Sequence, residues 1–419
     1  MHSFAYSHGE LYCEQVPLSQ IAKQVGTPCY IYSHAALIRQ FRAFDSAFED
    51  TPHVVAFAMK ANSNLAILRL IAREGGGADI VSGGELFRAL TAGIPPSKIV
   101  FAGVGKTRTE IAYALRSDIL MFNVESSSEL RAIDEVAAEL GMKARVALRI
   151  NPDIDPKTHP YISTGLKKSK FGISADRVLD EYKLATSLKH IEVVGVHKHI
   201  GSQLTEVSPF VDALRKVLTL VETLKGHGAT IRYINIGGGL GITYSDEAPP
   251  KPKQLAEAIS PLVRDLKCVL IMEPGRVIVG NAGILLTRVP YSKEGEAKRF
   301  VIVDAAMNDL IRPSLYGAYH EIRPVREAIG AKRQVVDVVG PVCESGDFLA
   351  KDRELVKVDD GDLLAVMSAG AYGFVMSSNY NSRPRVPEIL VKEEHFHVVR
   401  AREEYADLIK GEAIPEFLS

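Results

Sequence analysis

The chain has 419 residues, of which 46% are hydrophobic and 24% charged, and its formal net charge is −1. This composition is ordinary for a soluble globular protein, and the near-zero charge gives no electrostatic case for binding nucleic acid or an anionic membrane. No apolar stretch approaches the ~20 residues of a membrane span, and residues 1–8 lack the basic start and apolar core of a signal peptide. We therefore expect a cytoplasmic protein that binds small molecules.

Four cysteines are spread along the chain, at Cys13, Cys29, Cys268 and Cys343. They form no CxxC pair and no zinc-binding spacing. The sequence therefore predicts neither a disulfide framework nor a structural metal site.

Eight short runs of aliphatic and β-branched residues are spaced along the first two thirds of the chain. They are close to continuously hydrophobic, which is typical of parallel strands buried on both faces. Helical patterns, such as those over 64–73 and 126–140, lie between them. Eight strands alternating with helices predict a closed (β/α)8 TIM-type barrel rather than an open doubly wound sheet. The runs are 53–59, 77–81, 98–102, 118–124, 145–150, 192–199, 232–236 and 269–272.

Polar and glycine-rich clusters follow these runs. In (β/α)8 barrels the chemistry collects where strands end and the following loops begin. The candidate residues at these ends are Lys60, Asp79, His199, Ser202, Gly237, Gly238, Gly239, Glu273, Gly275 and Arg276.

A second domain is expected, because the chain exceeds one barrel of typically ~250 residues. Beyond about residue 280, strand-like segments follow one another without regular helices, separated by Gly, Asp and Asn turns. The opening segments 9–14 and 28–32 are strand-like too. We predict a barrel domain over 34–281 and a mostly antiparallel β-barrel or sandwich domain over 1–33 and 282–419.

Individual patterns leave alternatives open. Lys60 could form a Schiff base if burial lowers its pKa, or it could be a solvated lysine at a strand end. Three glycines at 237–239 could present backbone N–H groups to a phosphate, or form a tight turn. Glu273 and Arg276 emerge beside each other, either as a ring-nitrogen partner and an anion-binding group or as a surface turn.

Two histidines end the sixth run, and strand alternation puts His197 and His199 on one face. One imidazole could stack on a flat cofactor while Ser202 donates to its phosphate. Two histidines could equally bind a metal, but no third ligand stands nearby in sequence, so no metal site is predicted.

The chain resembles the fold-type III pyridoxal phosphate decarboxylases, which have an alanine racemase-like barrel. The resemblance covers nearly the whole chain, and the order of its segments makes it specific. Phe57, Met59 and Lys198 depart from the residues that are commoner in the family. The matching segments are 57–62, 79–85, 123–126, 169–172, 199–202, 237–239, 273–276, 312–316, 343–345 and 371–373.

The resemblance implies that pyridoxal 5′-phosphate is the cofactor. Lys60 would carry it, Glu273 would pair with its ring nitrogen, and His199 would stack on its ring. The remaining cofactor contacts would come from Asp79, Ser202, Gly237, Gly238, Gly239, Gly275, Arg276 and Tyr372.

The resemblance also implies a homodimer with shared active sites. Cys343 would be the general acid and Glu344 would contact the distal amino group of the substrate, both delivered across a head-to-tail interface. The distal groups of the substrate would be gripped by Arg276, Arg312, Tyr316 and Tyr372.

A distal carboxylate suits Arg312, and a distal ammonium suits Glu344. Together they describe a substrate with an amino acid group at each end, meso-2,6-diaminopimelate, which decarboxylation converts to L-lysine. The alternatives are a related decarboxylase acting on ornithine, lysine, arginine or a carrier-bound amino acid, and an inactive regulatory relative. Intact Lys60, Glu273 and Cys343 argue against the inactive relative.

Overall fold

A computed structural model describes residues 3–154 and 170–418. Residues 155–169 lie outside the described residues, and with them Ser169 of the matched segment 169–172 and most of the loop 153–171. The chain divides into two compact units, a barrel unit over Ile38–Ile278 and a β unit made of Met1–Leu37 and Val279–Ser419. Within the described ranges, no helix has the length and apolar content needed to cross a membrane.

The N-terminal segment contributes strands to the β unit before the barrel begins. Its elements are β1 (Phe4–Ser7), β2 (Glu10–Cys13), β3 (Val16–Pro17), α1 (Leu18–Val25), β4 (Cys29–Ser33) and the connecting helix α2 (His34–Asp45).

Eight parallel strands close into a ring in the barrel unit. The ring runs β5, β6, β7, β8, β9, β11, β12, β13 and back to β5, and the two-residue strand β10 pairs only with β9. The predicted barrel is therefore confirmed, with each strand within a few residues of its apolar run. The strands are β5 (His53–Ala58), β6 (Gly77–Ile80), β7 (Ile99–Phe101), β8 (Met121–Val124), β9 (Ala144–Asn151), β10 (Ile173–Ser174), β11 (Ile191–His197), β12 (Tyr233–Asn235) and β13 (Val269–Met272).

Helices follow the strands, and three of them share one start signal. Ser82, Thr107 and Ser126 each accept a hydrogen bond from the backbone N–H of a glutamate three residues later. This Ser/Thr-x-x-Glu pattern satisfies backbone donors that the first turn of a helix leaves unpaired. The helices are α3 (Leu65–Arg73), α4 (Gly83–Thr91), α5 (Arg108–Arg116), α6 (Ser127–Glu139), α7 (Val178–Ser187), α8 (Ser208–Gly226), α9 (Pro252–Val263) and α10 (Arg276–Val279).

Strand alternation stacks polar side chains above an apolar layer in the barrel. Met121 and Ile271 belong to one buried cluster drawn from most of the strands. Side chains two residues apart on a strand point to the same face, so Asn123 and Glu273 lie on the face that Met121 and Ile271 occupy. The interior therefore changes from apolar to polar toward the carboxyl ends of the strands.

The β unit holds three sheets, and β4 ties its two chain segments together. β4 pairs antiparallel with β14 and parallel with β21, inside a six-stranded sheet ordered β17-β20-β14-β4-β21-β22. The prediction that the N-terminal segment joins the C-terminal strands in a mostly antiparallel domain is confirmed. Its later elements are β14 (Gly283–Arg288), β15 (Tyr291–Glu294), β16 (Arg299–Ile302), α11 (Arg312–Tyr316), β17 (Ile322–Pro324), β18 (Arg333–Val339), β19 (Phe348–Val356), β20 (Leu363–Val366), β21 (Glu388–Lys392), β22 (His395–Arg400) and α12 (Tyr405–Leu408).

Lys198 follows β11 directly and lies buried inside the barrel unit. Its side chain is fully buried, its Nζ has no hydrogen-bond partner among the described residues, and it lies 5.4 Å from the ring centroid of Phe210 in α8. Alternation explains the location, since His197 and His199 take the opposite face. Burial lowers the pKa of Lys198 to about 7, because an apolar site disfavours the charged amine.

Replacing Lys198 with Met should stabilise the fold at pH 7 by removing the buried amine. The pKa of Lys198 is about 7 in the fold and returns to ~10.4 on unfolding, so the parent gains stability as the pH rises from 7 to 10. The Met variant lacks this gain. Its advantage in free energy of unfolding should shrink by up to ~1.4 kcal/mol per pH unit over that range, as measured by urea unfolding.

The control is Lys351→Met, since Lys351 is exposed and lies over the Phe348 ring at 4.0 Å. Its effect should not vary with pH. A Lys198→Met effect that is equally constant from pH 7 to 10 would contradict the account.

Candidate active site

Lys60 lies in a short 3-10 turn, Met59–Ala61, that follows β5 rather than on the strand itself. Its Nζ donates to Asp79 Oδ2 at 2.8 Å, and the Asp79 side chain on β6 is fully buried. β5 and β6 pair with Ala58 opposite Asp79, so the two side chains meet at the carboxyl ends of neighbouring strands.

The second carboxylate oxygen of Asp79 does not bind Lys60 and can accept a hydrogen bond from another group. Oδ1 is buried and has no hydrogen-bond partner among the described residues. The pKa of Asp79 is raised to about 7, because burial and the charge of Glu273 raise it more than Lys60 lowers it. A buried acceptor without a hydrogen-bond donor destabilises the fold. The position of Oδ1 therefore indicates that a donor group of a bound ligand belongs beside it.

Glu273 emerges from β13 into the polar layer and is almost completely buried. Its Oε1 accepts hydrogen bonds from Asn235 Nδ2 at 2.6 Å and from Asn123 Nδ2 at 3.3 Å. Its Oε2 lies 3.4 Å from His197 Nε2. Three strands, β8, β11 and β12, thus each supply one neighbour to this carboxylate.

These contacts decide the charge of Glu273. Burial alone would raise its pKa, but the neighbouring His197 and the charge of Lys60 hold the pKa well below its ordinary value. Burial lowers the pKa of His197 itself, so we assign a neutral imidazole at pH 7 that acts through its dipole. Hydrogen bonds to a carboxylate favour the charged form. Glu273 is therefore a buried anion at neutral pH.

His199 lies two residues beyond the end of β11 and is half-buried. Its Nδ1 accepts a hydrogen bond from the backbone N–H of Gly238 at 3.3 Å. Loss of hydration lowers its pKa well below the ordinary value, and the positive charges of Lys60 and Arg149 lower it further. At neutral pH the ring is thus uncharged.

Within the described residues, His197 and His199 are not grouped with further metal ligands. The described ranges contain no group of three or more His, Cys, Asp or Glu side chains arranged to hold a metal ion. His197 instead faces Glu273, and His199 is oriented by Gly238.

The glycine run at 237–239 follows β12 and packs tightly against the next strand. A Cβ on Gly238 would stand 2.0 Å from the carbonyl oxygen of Glu273, and Gly239 has a φ of +118°. The N–H groups of Gly237 and Gly238 donate to Asn235 Oδ1 and His199 Nδ1. Of the three N–H groups expected to face a phosphate, only that of Gly239 therefore remains available within the described part of the chain.

Arg276 stands at the start of α10 and is buried. Its guanidinium donates to Tyr244 Oη at 2.6 Å and to Ser202 Oγ at 3.1 Å. The guanidinium of Arg276 is thus linked by hydrogen bonds to two hydroxyl groups, those of Ser202 and Tyr244. Gly275 lies against Ala58, where a Cβ would approach the Ala58 side chain to 3.0 Å, so a larger residue would force the two segments slightly apart.

The other predicted residues lie in the β unit. Arg312, the first residue of α11, is buried, and its Nη1 lies 2.8 Å from His320 Nε2, while His320 Nδ1 lies 2.8 Å from the carbonyl oxygen of Met367. Tyr316 ends the same helix and is half-buried. Tyr372 has a φ of +55°, a conformation that costs energy for a bulky residue and often marks functional sites.

Cys343 and Glu344 lie in the turn between β18 and β19, and both are exposed. The carboxylate of Asp347 anchors this turn, because it accepts hydrogen bonds from the backbone N–H groups of Met307 and Val342, each at 2.7 Å. Exposure and a fixed backbone suit residues that act on a bound molecule rather than pack a core.

Three interior polar residues escaped prediction from the sequence. Each lies two residues after a member of the apolar barrel layer or after a residue packed against that layer. They are Asn123, Asn235 and Arg149. Arg149 donates to Glu125 at 2.6 Å, and its guanidinium lies 4.7 Å from the ring centroid of Phe171. The available signal was a polar side chain near the end of an otherwise apolar strand, on the same alternating face as Glu273.

Comparison with known proteins identifies the family. Residues 34–280 match the model for the pyridoxal-dependent decarboxylase, pyridoxal binding domain. The chain is 55% identical to diaminopimelate decarboxylase of Pseudomonas aeruginosa over 99% of both chains, and 54% identical to that of Vibrio cholerae over 99% of both.

A solved structure agrees. The crystal structure of diaminopimelate decarboxylase from M. jannaschii in co-complex with L-lysine is 43% identical, covers 100% of both chains and superposes with a TM-score of 0.94. The chain belongs to the pyridoxal-dependent decarboxylase family.

Proposed function

We propose that this chain removes one carboxyl group from meso-2,6-diaminopimelate, giving L-lysine and carbon dioxide, with pyridoxal 5′-phosphate as its cofactor. The observation that carries the proposal is the buried, anionic Glu273 at the same end of the barrel as Lys60. Relatives with this activity that match the chain over its whole length support the choice of substrate.

The residues of the barrel unit fit the cofactor. Lys60 supplies an amine, Glu273 supplies a buried anion for a ring nitrogen, and Asp79 Oδ1 is an acceptor without a partner in the described chain. The donors of Ser202 and Arg276 suit a phosphate. When bound, pyridoxal phosphate supplies an aldehyde that condenses with amines and a conjugated ring that accepts electrons from the substrate Cα.

Each barrel residue then has one task. Lys60 would hold the cofactor, and Asp79 accepts a hydrogen bond from the lysine Nζ and orients it. Glu273 would hold a proton on the ring nitrogen of the bound cofactor, which would make the ring a stronger electron acceptor. Neutral His199 offers a flat face for stacking, and its orientation is set by Gly238.

The phosphate would be held by Ser202 Oγ, Arg276 and the N–H groups of Gly239 and Gly275. Gly237 and Gly238 contribute by shaping the loop, because their N–H groups are already used within the barrel unit. Tyr372 of the β unit remains a proposed phosphate and substrate contact.

The β unit supplies groups for the substrate. Arg312 would pair with the distal carboxylate with Tyr316 beside it, and Glu344 would accept the distal ammonium. Cys343 would return a proton to Cα after carbon dioxide leaves. A thiol carries a proton that it can donate, so it can act as a general acid.

Arg312 provides the test of substrate. Arg312→Lys keeps the charge but loses the bidentate fork, and we expect kcat/KM for diaminopimelate to fall by roughly 100-fold. Turnover of lysine or ornithine, which have no distal carboxylate, should fall far less. Carbon dioxide release from this panel of amino acids measures both.

Arg333→Lys is the matched control, since Arg333 is largely exposed in the same unit, and it should leave both activities unchanged. Equal losses on all substrates in the Arg312 variant would favour a related decarboxylase of broader or different specificity.

We further propose that the enzyme is a homodimer with shared active sites. The support is the exposed turn that carries Cys343 and Glu344, outside the unit that holds Lys60. We also propose a cytoplasmic location, where the four free thiols would stay reduced.

Mixing Lys60→Ala with Cys343→Ala protein tests the shared site. If two chains complete each site and subunits exchange freely, about a quarter of wild-type activity should return, because half of the dimers are mixed and each mixed dimer has one intact site. No recovery, despite exchange verified with differently tagged chains, would refute the shared site.

A further inference from the structure

A second turn of the β unit lies against the two residues that the proposed mechanism places on the substrate. Asn381 Oδ1 accepts a hydrogen bond from the backbone N–H of Cys343 at 2.9 Å. The neighbouring Tyr380 donates from its hydroxyl to Glu344 Oε2 at 2.8 Å. Two adjacent residues of one turn thus contact two adjacent residues of the other.

The turn that carries Tyr380 is built independently of Glu344. Asn381 and Ser382 both have left-handed backbone conformations, with φ of 56° and 53°, which are uncommon for non-glycine residues, although Asn adopts them more readily than Ser. Asn379 Nδ2 fixes the turn by donating to the carbonyl oxygen of Arg383 at 3.1 Å and to Glu403 Oε2 at 2.7 Å. The backbone that carries Tyr380 is therefore held by contacts that do not involve Glu344.

The Glu344 side chain has little else to orient it. The backbone of its turn is held by Asp347 and by Ser314 Oγ, which donates to the carbonyl oxygen of Gly346 at 2.6 Å. The carboxylate itself is exposed, and within 3–154 and 170–418 the Tyr380 hydroxyl is its one hydrogen-bond donor. An unrestrained glutamate would lose rotamer freedom on binding a ligand, which weakens binding.

Two further features favour this arrangement. A Cβ at Gly346 would stand 3.0 Å from Glu344 Oε1, so glycine there leaves room for the carboxylate to lie back toward its own turn. The hydrogen bond to Glu344 raises the pKa of Tyr380, so the phenol remains a donor throughout the neutral range. With Oε2 satisfied by the hydroxyl, Oε1 is left to accept a cation.

We propose that Tyr380 is a positioning residue that orients the Glu344 carboxylate for the distal ammonium of the substrate. This inference rests on the proposed function, because it takes the role of Glu344 from that mechanism. Pre-orienting the acceptor lowers the cost of binding without touching the reacting atoms. The role should therefore be visible in KM rather than in kcat.

Tyr380→Phe removes only the hydroxyl. We expect KM for meso-diaminopimelate to rise about 3-fold to 20-fold with kcat nearly unchanged, measured as carbon dioxide release under steady-state conditions. Tyr291→Phe is the matched control, since Tyr291 is 66% exposed on β15 of the same unit, and its kinetics should equal those of the parent.

A double-mutant cycle with Glu344→Gln separates positioning from a general structural effect. If Tyr380 acts through Glu344, adding Tyr380→Phe to the Glu344→Gln variant should change KM no further. An undiminished effect in that background, or an unchanged KM in the Tyr380→Phe single variant, would overturn the inference.

The same cycle distinguishes failure of the proposed role of Glu344 from failure of the role of Tyr380 alone. If Glu344→Gln itself leaves KM for diaminopimelate unchanged, the proposed role of Glu344 fails, and the positioning role of Tyr380 fails with it. If Glu344→Gln raises KM while Tyr380→Phe does not, the proposed function stands and only the role of Tyr380 is wrong.

Discussion

One buried carboxylate determines much of the chemistry of this molecule. Glu273 is almost removed from water, yet two asparagine amides donate to one of its oxygens and a histidine lies beside the other. An isolated buried carboxylate would become protonated, because burial disfavours charge. The barrel prevents this by bringing neighbours from separate strands to one point, and the result is a fixed negative charge where a cofactor ring nitrogen can meet it.

The barrel interior explains how such a charge is tolerated. Along each strand, alternation brings every second side chain into the interior, and the apolar layer of Met121 and Ile271 lies directly beneath Asn123 and Glu273. The same alternation places Arg149 two residues beyond Ala147. Apolar residues therefore fill the barrel and stabilise the fold. The polar residues that carry the chemistry are confined to the strand ends, where the loops begin.

The sequence predicted the parts of the fold that repeat. Eight apolar runs led to eight barrel strands, and the polar clusters after them led to Lys60, Asp79 and Glu273, because a strand end is visible as a change in hydrophobicity. Beyond residue 280 the sequence predicted strands at 299–303, 334–339, 363–367, 388–391 and 396–399, so it missed β14, β15, β17 and β19. β19, Phe348–Val356, carries several exposed charged residues, since one side of its sheet faces solvent, and its pattern does not stand out from a loop.

Contacts between distant residues were beyond reach of the sequence alone. Nothing in the run 237–239 indicates that Gly237 and Gly238 donate inward to Asn235 and His199, because the partners are chosen by strand register. For the same reason, the matching segment 123–126 contains Asn123 but does not indicate its hydrogen bond to Glu273. The residue types at the site were predictable, whereas their pairing required the three-dimensional arrangement.

The charge of Glu273 can be tested directly by nitrogen NMR of the enzyme reconstituted with cofactor labelled at the ring nitrogen. We predict a protonated ring nitrogen in the parent enzyme at neutral pH and a deprotonated one in Glu273→Gln, whose neutral amide cannot hold the proton. A deprotonated ring nitrogen in the parent enzyme, or the same protonated signal in both proteins, would contradict this account.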